Sequence, residues 1–115
     1  PTLHNKYLRI LTKHKIASKK AHFDYLREKR VKWEYYTGKM SQEDLEERGW
    51  TPFQFVLKSD ISTYMEADQD LIRLLEKKMY HDEVSGVIES IMGELKQRTW
   101  QLREFIAWER FIGGQ

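Results

Sequence analysis

Proline and glycine are missing from residues 6–37, and the chain's only prolines are Pro1 and Pro52. Proline removes a backbone donor and clashes with the preceding helical turn, so its absence permits long uninterrupted helices. Residues 6–37 are therefore expected to form one long helix. Its apolar positions Leu8, Leu11, Ile16 and Phe23 make no clean stripe, which suggests burial from more than one side. Residues 70–112 contain no proline and two glycines. Within them Val84, Ile88, Ile91, Leu95, Arg98, Leu102, Phe105, Glu109 and Ile112 follow alternating steps of four and three, the seam of a helix packed against another helix. Leu71, Leu74, Leu75 and Met79 form a second apolar line, and Val87, Met92, Trp100, Ile106 and Trp108 lie outside the first seam. A helix apolar on several faces favours an oligomer interface, here assigned to Val84, Ile88, Ile91, Leu95, Leu102 and Phe105.

The 115 residues suggest one mainly α domain, read as a basic helix over 1–40, an acidic connector over 41–70 and an amphipathic oligomerisation helix over 71–115. Ser41 is placed to cap a short acidic helix, with Asp44 reaching back as a capping box, and Gly49 to end it. Residues 53–57, FQFVL, alternate briefly and read as a short strand or an extended linker. Ser59 or Asp60 is expected to cap a turn through Ile61–Met65, and Asp68 to cap the last helix.

The net charge of +2 hides an asymmetry. Residues 1–40 carry a net +8, residues 41–70 a net −6, and residues 71–115 balance. The first third suits a polyanion, or the acidic middle of its own or a neighbouring chain. Having no cysteine excludes disulfides and cysteine metal sites and fits a reducing compartment. No apolar run approaches the roughly 18 residues of a membrane span, and the N-terminus lacks a signal-peptide core. His4, His14, His22 and His81 have no metal-pair spacing, and neither a phosphate-binding loop nor any cofactor motif occurs. Asp60, Asp68 and Asp70 permit a metal-dependent nuclease reading, but helix capping explains Asp68 and Asp70 more simply.

The densest signal is REKRVKWEYYTGK at residues 27–39, with cations and rings interleaved before a plausible helix stop at Thr37-Gly38. Tyr25, Lys29, Lys32 and Tyr36 share one helix face, whereas Arg30 lies about 200° around the axis from Lys32. Cations neutralise phosphates and rings stack on unpaired bases, so the pattern favours a single strand over a duplex. The competing reading packs Trp33, Tyr35 and Tyr36 against the acidic middle and leaves the lysines to solvent.

This stretch, together with VLKSDISTYMEADQDL and the closing LKQRTWQLREFIAWERFIGGQ, resembles the UvsY-type recombination mediators of T-even-like phages. The resemblance runs through most of the chain from about Leu11. It implies a non-enzymatic, cofactor-free accessory factor that binds single-stranded DNA. It also implies assembly into a heptamer-like ring and help in loading a RecA-like recombinase onto DNA covered by single-strand-binding protein, in the cytoplasm of an infected bacterial host. The family's basic pair carries over to Arg30 and Lys32. Lys29, Tyr35, Tyr36 and Arg27 join them as candidate DNA contacts from the stretch itself. The alternative is a helical oligomeric scaffold whose basic helix pairs with a neighbour's acidic residues and binds no nucleic acid.

Overall fold

In a computed structural model of the chain, residues 2–54 and 56–114 are described. Helix α1 spans Thr2–Tyr36, α2 Gln42–Arg48, α3 Ile61–Glu66 and α4 Gln69–Gly113, with a 3-10 turn at Lys58–Asp60. Among the described residues no strand forms, and 53–54 and 56–57 are linker; Phe55 lies outside the described residues.

Helix α1 starts earlier than expected and stops where the glycine predicts. Gly38 takes φ +73°, a left-handed conformation in which a side chain would be strained. Its N–H donates to the Tyr35 carbonyl at 3.2 Å, and the Lys39 N–H to the Glu34 carbonyl at 2.8 Å. That pair of bonds is a Schellman cap. Gly49 repeats it after α2, with φ +69° and the Trp50 N–H bonded to the Leu45 carbonyl at 2.9 Å. At the other end of α2 the Ser41 hydroxyl accepts from the Asp44 N–H at 3.1 Å. Asp60 behaves differently from expectation: its side chain makes no capping bond, and the 3-10 turn leads directly into α3. Asp68 does cap α4, its Oδ1 accepting from the N–H groups of Asp70 at 3.0 Å and Leu71 at 3.1 Å.

The chain divides into two compact units. One joins the start of α1, through Lys15, to α4 from His81 onward. In it Leu11 and Ile88 are buried, and Val84, Ile91 and Leu95 are half-buried. His14 and His81 meet through their Nδ1 atoms at 2.9 Å, and Lys15 pairs with Glu89 at 2.9 Å. Leu3 and His4 line a groove with Met92, Leu95 and Trp100. From Lys96 to Gly113 every residue of α4 is exposed, Leu102 and Phe105 of the predicted seam included. The second unit, Ile16–Tyr80, contains the rest of α1, the connector helices and the first turns of α4. Ala21, Leu45 and Leu71 are buried there.

Candidate nucleic-acid interface

Three elements meet around Lys32. Its position on α1 turns it inward, where its side chain is 8% exposed. Nζ donates to Asp70 Oδ2 at 2.7 Å and pairs with Asp68 Oδ2 at 3.1 Å. It also sits 4.2 Å from the centre of the Trp50 ring, a cation–π contact. Tyr36, one turn further along α1, donates its hydroxyl to the same Asp68 oxygen at 2.6 Å. Asp68 therefore serves twice, one oxygen capping α4 and the other holding α1.

The electrostatics follow from this geometry. Burial alone would lower the Lys32 pKa, but hydrogen bonds to Asp70 and Asp68 and their negative charges outweigh it and hold the ammonium above its ordinary value. Burial, the hydrogen bond to Asp68 and that carboxylate's charge push the Tyr36 hydroxyl well up, so it stays a donor. For Asp68, burial opposes ionisation, yet donors from Tyr36, the Leu71 N–H and Lys32 bring its carboxyl below the usual range. The site is a hydrogen-bonded cluster in which one ammonium meets two carboxylates, with Arg73 also 3.6 Å from Asp70.

Beside the cluster the rings pack on one another. Tyr35 and Tyr36 lie edge-on at 5.2 Å, Tyr36 meets Phe53 at 4.8 Å and 87°, and Phe53 meets Tyr64 at 5.2 Å. Tyr35 also contacts Trp50 at 5.0 Å and donates its hydroxyl to the Thr51 carbonyl at 2.8 Å. Edge-to-face pairs of this kind add to simple area burial. Trp33 is the exception in the stretch, 42% exposed, with Lys39 Nζ 4.4 Å from its ring centre.

The face shared by Tyr25, Lys29, Lys32 and Tyr36 thus differs from a flat outward platform, because Lys32 and Tyr36 are taken up by Asp68 and Asp70. Of that face's cations only Lys29 is exposed, and Arg27 and Arg30 stand exposed beside it. Arg30 has an 83% exposed side chain and only a 3.6 Å approach to Glu34. Arg27 is 72% exposed and bonds Asp24 at 2.8 Å, and the exposed Lys29 reaches 5.9 Å from the Tyr25 ring centre. Asp68 and Asp70, the residues of the nuclease reading, are occupied by Lys32, Tyr36 and helix N–H groups. Among the described residues no group of three or more side chains converges to hold a metal.

Sequence reasoning missed an open groove of about 740 Å³ lined by Trp33, Tyr36, Lys39, Phe53, Lys58 and Met65 among others. Lys39 follows Trp33 by six residues and would not neighbour it on a helix. Only the Gly38 reversal brings the two together, and the glycine at the helix end was the available signal.

Among the described residues the protein is mainly helical, with exposed cations at the end of α1 beside an open groove. The family of recombination, repair and single-stranded-DNA-binding proteins called UvsY matches residues 1–115, and the chain belongs to that family. No curated protein and no solved structure matches it significantly. Among the described residues no helix is long and apolar enough to cross a membrane.

Proposed function

We propose that the protein is a non-catalytic recombination mediator that helps load a RecA-like recombinase onto single-stranded DNA covered by single-strand-binding protein. The observation that carries this is the family match along the whole chain. Arg27, Lys29 and Arg30 meet phosphates, and Lys32, Tyr35 and Tyr36 support that surface from behind. The subunits assemble through α4 into a ring, heptamer-like as in the mediators the chain resembles, so a weak interaction on each subunit is repeated and acts as avidity. Loading requires that the ring favour a strand conformation which suits the recombinase better than the covering protein, since equal affinity for both conformations would shift nothing. The scaffold alternative is less well supported, because Lys32 of the basic helix already finds its acidic partners Asp68 and Asp70 within the same chain.

Replacing Arg30 with Gln tests the assignment. Anisotropy of a labelled oligonucleotide over a salt series should show weaker binding and a log–log slope shallower by about 0.7 for each phosphate no longer neutralised. An unchanged slope and affinity would remove Arg30 from the interface.

A further inference from the structure

We infer that the groove between the end of α1 and the connector is a nucleobase site, taking an unpaired base of the bound strand against Trp33. The inference rests on the single-strand reading above and assigns a location for base contact that the phosphate-binding cations do not provide.

Four observations converge. First, the groove is of the right kind: about 740 Å³ falls within the roughly 300–1,000 Å³ of small-ligand sites, and its walls are largely aromatic and aliphatic. Second, its charge is one-sided. Lys39 and Lys58 line it, and none of its described lining residues is acidic. An apolar slot edged only by cations complements a base with its flanking phosphates; it offers no partner to a basic peptide. Third, Trp33 is the ring of the 27–39 stretch that the aromatic packing leaves half open, at 42% exposure, while Tyr35 and Tyr36 are engaged with Trp50, Phe53 and Tyr64. Stacking needs a ring face, so the Lys39 ammonium, which lies over Trp33 at 4.4 Å, swings to a flanking phosphate as the base takes its place. Fourth, Arg27, Arg30 and Trp33 follow one another at three-residue spacing, so they form a continuous ridge along the exposed side of α1. A backbone held by the two arginines follows that row as it winds round α1 and reaches Trp33 at the rim of the groove.

The division of labour differs from a simple basic patch. Arginines on the ridge fix the phosphate track, and the groove reads the presence of a base without reading which base it is, since every base has a π-face. Duplex DNA, whose bases are already stacked, gains only the phosphate part.

The test compares Trp33→Leu with the unaltered full chain on two probes of equal length and charge, an oligothymidylate and an abasic oligonucleotide. The expected result is at least about a fivefold loss on oligothymidylate, the lower end of one stacked base, and no change on the abasic strand. The salt slope should stay the same for Trp33→Leu and become shallower for Lys58→Gln. Circular dichroism and light scattering establish that the variants keep their fold and assembly. Equal affinity of the unaltered protein for the two probes would overturn the nucleobase site while leaving phosphate binding intact. So would a Trp33→Leu variant whose DNA affinity is unchanged but whose oligomeric state shifts, which would give the groove to a second copy of the chain. Failure of the unaltered protein to bind either probe would instead overturn the single-strand reading on which the inference rests.

Discussion

Lys32 is one of the two cations that the family motif offers for DNA, yet its ammonium lies within 3.1 Å of two carboxylates of its own chain. Removing one partner of a buried charged pair leaves the other without compensation. Lys32→Ala should cost about 3 kcal/mol in a urea titration, whereas Arg30→Gln should be near neutral for stability. The pH dependence follows from the shifts. The Asp68 carboxyl is lowered on folding, so its contribution is full above the ordinary value of 3.8 and lost as pH falls through the lower folded value. The Lys32 ammonium is raised, so its contribution is full below 10.5 and lost as pH rises through the higher folded value. The difference in melting temperature between the unaltered protein and Asp68→Asn should therefore be constant around neutrality and shrink in strong acid. A difference that persisted unchanged in strong acid would show that charge has no part in the cluster.

At the level of elements, local chemistry was legible and tertiary pairing was not. Ser41, Gly38, Gly49 and Asp68 each announce a helix boundary, because a cap depends on a hydroxyl, a carboxylate or a left-handed φ within a few residues. Asp60 misled because a 3-10 turn can feed α3 through backbone bonds alone, with no side-chain acceptor. The Lys32–Asp68 pair joins residues 36 apart, and no periodicity encodes it. Interleaved rings and cations in 27–39 look alike whether they face inward or outward; the answer depended on where α4 begins. Because Gly38 sits in the left-handed region with nothing near its missing Cβ, Gly38→Ala should cost about 1 kcal/mol through strain alone, read as a lower melting temperature.

For the molecule as a whole, the telling feature is how little is buried. Five apolar residues make up the buried core among those described, while Trp100, Leu102, Phe105, Trp108 and Phe111 stand 54–67% exposed along one stretch of α4. Large apolar side chains exposed in such number round one helix mark an interaction site. The heptad pattern was visible in the sequence, but not its partition: Ile88 is buried within the subunit, Val84, Ile91 and Leu95 are half-buried, and Leu102 and Phe105 remain open. In the proposed ring, Phe105→Asp should therefore break the assembly, observed as a fall in mass by light scattering, with the helical signal of the chain largely retained. An assembly of undiminished mass would place the interface elsewhere.

The left-handed turn at Gly38 also bears on the speed of encounter. It brings Lys39 back over Trp33 within a single chain. At the proposed nucleobase site the main-chain reversal is part of the fold, so a base asks only a side-chain movement of Lys39, and a backbone already ordered avoids that cost at binding. Association then needs no rearrangement of the main chain at this site, the slow step that lowers an on-rate.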